Sequence, residues 1–163
     1  HKGVQDLITA VRNLKNKEFD VTLLIVGEGE FKDELMKFSQ EIFPETIFTG
    51  HVDPKKLYKY YYAADVFVLP TYDDPWGLVV NEAMACGLPI IVTDAAGSSI
   101  DLVKDNGIIF KNGDIDELSS AIGYLIEHNV LIRYGKNSRK IIKNWTYENS
   151  FYEFLNLVKL FTK

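Results

Sequence analysis

Apolar residues recur along this chain in two alternating periods. Val4, Leu7, Ile8, Val11 and Leu14 fall on one side of a helix over 4–14. The run Val21-Thr22-Leu23-Leu24-Ile25-Val26 is instead continuously apolar and β-branched up to Gly27-Glu28-Gly29, so it reads as a strand buried on both faces. Helical spacing returns over 31–39, with Leu35 and Phe38 on one side, and a short strand over 46–49 is closed by Gly50. The spacing predicts a helix over 54–64, where Asp53 suits the N-cap and Pro54 the first helical position. Next come a strand over 66–69 stopped by Pro70, a helix over 78–85 stopped by Gly87 and a strand over 89–93. A short turn or helix near 98–103 and a last short strand over 108–110 follow. Three helices, over 114–127, 131–143 and 147–161, complete the chain.

Strand and helix alternating in this way predict an α/β fold, a Rossmann-like parallel sheet with helices on both faces. Ligands of open parallel sheets bind beyond the carboxyl ends of the strands. The loops to inspect therefore follow Val26, Phe48, Leu69 and Val92. No repeat or low-complexity segment interrupts the pattern. The tail after Ser138 is rich in Lys and aromatic residues, but its helical spacing predicts a packed element.

Composition narrows the function classes. The chain has 163 residues, 47% of them hydrophobic and 25% charged, which suits one globular domain. Its net charge of −5 opposes nucleic acid binding. An anionic small ligand must then be held by local cations and backbone N–H groups. With Cys86 alone there is no internal disulfide, which fits a reducing, cytoplasmic compartment. His1, His51 and His128 lie far apart, without zinc-ligand spacing. There is no signal peptide and no bilayer-length apolar run. Lys136, Arg139, Lys140 and Lys143 are expected to form a solvated helix face; the alternative use is peripheral contact with a membrane in a longer protein. The start at His1, without an initiator Met, leads us to expect a fragment.

The segment with the most chemistry is Asp74-Pro75-Trp76-Gly77-Leu78-Val79-Val80-Asn81-Glu82, which joins a strand's carboxyl end to a helix. Gly77 lets the backbone approach a ligand, and the N–H groups of Leu78 and Val79 open the helix where a phosphate binds. Asp74 lies at the mouth of that pocket. Glu82 lies about one turn into the helix, where a carboxylate can accept hydrogen bonds from a sugar diol. The alternative is an exposed loop acid and a solvated helix acid. The turn Gly27-Glu28-Gly29-Glu30 is close to a dinucleotide fingerprint, but Lys32 occupies the third glycine position, which argues against NAD. Tyr58, Tyr60, Tyr61 and Tyr62 offer a stacking platform, although on a helix packing is the expected use.

The run from Asp73 to Asp94 resembles the signature of retaining glycosyltransferase family 4, the glycosyl transferases group 1, whose members have the two-domain GT-B fold. Supporting matches in the same order are Lys2-Gly3-Val4, Leu24-Ile25-Val26-Gly27-Glu28-Gly29, Phe48-Thr49-Gly50-His51-Val52, Ala63-Ala64-Asp65-Val66-Phe67-Val68-Leu69-Pro70 and Asn112-Gly113-Asp114. The resemblance implies that residues 1–163 form the nucleotide-sugar-binding, C-terminal half of such an enzyme, truncated at its N-terminus. It implies a nucleotide-diphosphate sugar as donor, no metal, and an N-terminal acceptor-binding domain as partner. The full enzyme is then expected to transfer a hexose with retention in polysaccharide or glycolipid synthesis, and this part alone to lack turnover.

The family's pair of glutamates falls on Asp74 and Glu82. By resemblance Glu82 binds the ribose hydroxyls and Asp74 the donor sugar, with a side chain one methylene shorter than the usual Glu. Lys2 and the N–H groups after Gly77, at Leu78 and Val79, meet the diphosphate. Gly29 lies near the phosphates, and the loop Gly50-His51-Val52 contacts the base through backbone groups, the alternative for His51 being an ordinary exposed histidine. The family's partner arginine and the strand that carries it are absent. That strand belongs between those at Val21 and Val66, so two strand edges are expected to stand open. The rival reading is a nucleotide- or partner-binding module without catalysis.

Overall fold

The computed structural model describes residues 2–161. The elements run α1 (Val4–Lys15), β1 (Leu24–Ile25), α2 (Lys32–Ile42), β2 (Ile47–Phe48), a 3₁₀ turn (Pro54–Lys56), α3 (Tyr58–Ala63), β3 (Phe67–Leu69), α4 (Leu78–Cys86), β4 (Ile90–Thr93), α5 (Ser99–Leu102), β5 (Gly107–Phe110), α6 (Ile115–Glu127), α7 (Leu131–Ile142) and α8 (Tyr147–Phe161). All strand pairings are parallel. They form two sheets, β1-β2 and β3-β4-β5, so among the described residues β1 and β3 each have a paired neighbour on one side only.

β4 sits at the centre and explains the layering. Its four residues are all buried, as expected of a parallel strand covered on both faces. Ile91 points into a core built mainly from α1 and α6, including Ile8, Leu14, Leu118 and Leu125. Ile90 and Val92 point the other way, against Val80, Ala83 and Met84 of α4 and Leu102 of α5. The strand period of two thus assigns one β4 side chain set to each face. Full burial of such Ile and Val side chains contributes roughly 1.5–3 kcal/mol apiece.

Three expectations change. The strand at Val21–Val26 shrinks to Leu24–Ile25, paired on one side only, and both residues are half-buried rather than covered on two faces. The helix over 54–64 divides: Asp53 does cap it, accepting from the Lys55 N–H, but the first turn is 3₁₀ and the α-helix begins at Tyr58. The packed element at the C-terminus is not packed. α8 buries none of its residues, and Phe151, Phe154, Leu157 and Leu160 are all exposed. Among the described residues no helix is long and apolar enough to cross a membrane.

Candidate functional site

The carboxyl end of β3 turns sharply into the site loop. Gly77 closes that loop with φ +81°, a left-handed conformation that a side chain disfavours, and a Cβ there would press on Leu69 at 2.9 Å. The helix α4 then starts at Leu78, which is 69% exposed. Val80 N–H is already paired with the Gly77 carbonyl. The N–H groups of Leu78 and Val79 precede it, where helix donors have no intrahelical acceptor. The dipole of α4 adds positive potential at the same place.

Asp74 stands beside this helix start and is held by three partners. Its Oδ2 accepts from Lys2 Nζ at 2.8 Å. Its Oδ1 accepts from the Trp76 N–H at 3.2 Å. The Lys2 hydrogen bond, aided by the lysine's charge and by the N–H groups of Trp76 and Gly77, holds the Asp74 carboxyl below its ordinary range against an opposing push from burial.

Lys2 reaches Asp74 because of Gly3. That glycine has φ +64° at the start of α1, and a Cβ on it would collide with the carbonyl of Pro70. The backbone of the α1 N-terminus therefore lies directly on the end of β3. Tyr72 reinforces the approach by donating from its hydroxyl to Asp6 of α1 at 2.6 Å, which raises the phenol's pKa.

The loop 94–98 after β4 backs the site. Asp74 N–H donates to Ala95, Gly97 N–H donates to the Asp74 carbonyl and Ser98 N–H donates to the Trp76 carbonyl. The Trp76 indole is fixed as well: its Nε1 donates to Asn81 of α4 at 3.0 Å, and its ring contacts Trp145 with centroids 5.4 Å apart.

Glu82 is exposed on the next turn of α4, and its Oε2 accepts from the hydroxyl of Tyr61 at 2.8 Å. Burial, then Glu82, push the Tyr61 pKa far up, so the phenol stays a donor. At the far end of the helix, Arg139 of α7 donates to the Cys86 carbonyl at 2.9 Å. One member of the basic run on α7 is therefore a C-cap ligand for α4 rather than a purely solvated charge. Burial raises the Cys86 thiol above its ordinary pKa, which disfavours a nucleophilic role.

Lys2, Asp74, Gly77, Leu78 and Val79 are thus brought to one place, with Glu82 one turn along. Gly29 and Val52 belong to a second place at the ends of β1 and β2. There Gly27 N–H donates to the Gly50 carbonyl, and His51 lies 3.5 Å from Glu28. The periodicity of the sequence pointed Tyr61, Trp145 and the 94–98 loop toward packing or left them unassigned. Only the strand end at Val92 signalled that last loop. Among the described residues no group of three or more His, Cys, Asp or Glu is arranged to hold a metal ion. A concavity of about 550 Å³ lies elsewhere, lined by Thr9, Asn13 and Lys111 to Asp116.

A family model described as glycosyl transferases group 1 matches residues 1–146. Glycogen synthase of Mycobacterium tuberculosis is 31% identical over 129 residues, which cover 77% of this chain and 31% of that protein. Among solved structures, TarM of Staphylococcus aureus is 23% identical and superposes with a TM-score of 0.84 over 96% of this chain and 32% of that one, a likeness of fold. The C-terminal domain of the glycosyl transferase group 1 family protein LpcC from Francisella tularensis is 25% identical, with a TM-score of 0.76 over 88% of this chain and 78% of that one. The chain spans between a quarter and under half of the length of such curated relatives.

Proposed function

Because this chain belongs to the glycosyl transferases group 1 family, we propose that it supplies the nucleotide-sugar-binding half of a retaining hexosyltransferase of family 4 that builds polysaccharide or glycolipid. The observation that carries this reading is the meeting of Lys2 and Asp74, 2.8 Å apart, at the exposed N-terminus of α4. A diphosphate lies against the N–H groups of Leu78 and Val79, which supply fixed partial positive charge. Lys2 adds a full charge and stabilises the nucleoside diphosphate as negative charge develops on it in the transition state. Glu82 accepts hydrogen bonds from the ribose diol, and Asp74 faces the hydroxyls of the transferred sugar. Gly29 and Val52, at the ends of β1 and β2, approach the phosphates and the base. An acceptor-binding domain outside these residues completes the cleft, excludes water and aligns the acceptor with the anomeric carbon.

A screen of UDP-, GDP- and ADP-sugars for transfer or hydrolysis by the full-length protein tests the activity. Turnover of none of them by a protein that still binds the nucleotide would favour the rival reading, a binding module without catalysis. The engagement of both Asp74 carboxylate oxygens, one by Lys2 and one by the Trp76 N–H, is the feature that speaks for that rival. Glu82→Ala is expected to weaken nucleoside diphosphate binding by about 1–3 kcal/mol, the worth of a charged hydrogen bond. Unchanged affinity in calorimetry would remove Glu82 from the site.

A further inference from the structure

We propose that Tyr61 is a positioning residue, whose hydroxyl fixes one oxygen of Glu82 so that the other is presented to a ribose diol. The inference rests on the ribose-binding role proposed for Glu82 and names how that carboxylate is held. Glu82 is exposed on α4, and a free glutamate there would sample several rotamers. The 2.8 Å bond from Tyr61 to Oε2 selects one arrangement and leaves Oε1 unclaimed by that bond. A carboxylate has roughly four acceptor positions, so one donor leaves ample capacity for a diol.

Tyr61 is itself well anchored. Its ring packs on Phe67, the first residue of β3, with centroids 5.9 Å apart, and lies partly buried against the core on the α4 side of the sheet. A tyrosine has only two side-chain torsions to fix, so this packing orders the hydroxyl as well. Its neighbours Tyr58 and Tyr62 are placed differently, packed edge to face on each other and mostly exposed. Packing alone would be served by phenylalanine at position 61. The hydroxyl is directed at a surface carboxylate, where a hydrogen bond contributes little to stability. Its value therefore lies in where it puts Glu82.

The test is a cycle between a protein group and a ligand group. UDP, GDP and ADP, and their 2′,3′-dideoxy counterparts, are titrated calorimetrically into wild-type protein, Tyr61→Phe and Glu82→Ala. For the nucleotide that binds, Tyr61→Phe is expected to weaken the ribonucleotide about five- to tenfold, the cost of ordering a glutamate side chain that is otherwise free to change rotamer, and to leave the dideoxy form unchanged. The unchanged dideoxy affinity also reports that the variant is folded. Equal weakening of both forms, or of neither, overturns the positioning role. Glu82→Ala is expected to abolish the preference for the ribonucleotide. A preference that survives Glu82→Ala overturns the ribose reading itself, and the Tyr61 inference with it; a preference lost in Glu82→Ala but intact in Tyr61→Phe overturns the Tyr61 inference alone.

Discussion

The Lys2–Asp74 pair shows what one contact does at the start of α4. Lys2 is 62% exposed and the Asp74 side chain 17%, so the pair contributes little to global stability. Its effect is local: it places a cation against the acid beside the start of α4. Because the native carboxyl is depressed, the pair's contribution is present above the ordinary Asp pKa and is lost as pH falls through the lower native value. The expected consequence is an Asp74 carboxyl whose midpoint, followed by carbon-detected NMR, lies below the ordinary Asp range. In Lys2→Ala it should rise toward that range, since the largest downward cause is gone. A midpoint indifferent to Lys2→Ala would contradict the pairing. Asp74, Gly77 and Glu82 were legible as a candidate site because an acid, a glycine and a second acid bracket a strand-to-helix junction. Tyr61 was not, because in a run of tyrosines on a helix the periodicity cannot tell which hydroxyl meets a carboxylate from another element.

At the scale of elements, the site exists because α1 and α4 start against the same strand end. Gly3 makes that possible, and Gly3→Ala tests it. An alanine at φ +64° carries a left-handed penalty of roughly 1–2 kcal/mol. The backbone of Pro70 also has no room to yield to a Cβ. The ion pair it would displace is worth at most about 1 kcal/mol. A loss of more than about 2 kcal/mol in denaturant unfolding, together with an upward move of the Asp74 midpoint, is therefore expected; a silent substitution would mean that α1 does not depend on this approach. Helix limits were readable to within a few residues because caps and breakers mark them: Asp114 caps α6 by accepting from the Glu117 N–H, and Gly87 ends α4 with φ +85°. Strand limits were less readable. Apolar runs record burial, whereas a strand extends only as far as it has a paired neighbour, and β1 is paired on one side over two residues.

Over the whole molecule, that difference in pairing implies a difference in local stability. β4 has a partner on each side and is buried throughout. The β1–β2 sheet is held by few backbone bonds, among them Ile47 N–H to Leu23 at 2.8 Å and Thr49 N–H to Ile25 at 3.1 Å, and its strand residues are half-buried or exposed. It attaches to the α1–α6 core through buried Leu23 and Phe43, with Val21, Ile25, Phe38, Ile42 and Phe48 packed against the same core. Opening β1–β2 thus uncovers one side of one core, while opening β4 dissolves both cores at once. Native-state hydrogen exchange should accordingly resolve two units. The amides of Ile47 and Thr49 are expected to exchange through an opening at least about 1 kcal/mol easier than that of Ile91 and Val92, which should need global unfolding. If the two sets merge at one free energy across a denaturant series, the sheets unfold as one and the open slot between β1 and β3 is no weak point. If they separate, the end of the molecule carrying Gly29 and Val52 is the more adaptable one, and the α4 end carrying Lys2, Asp74 and Glu82 is the rigid one.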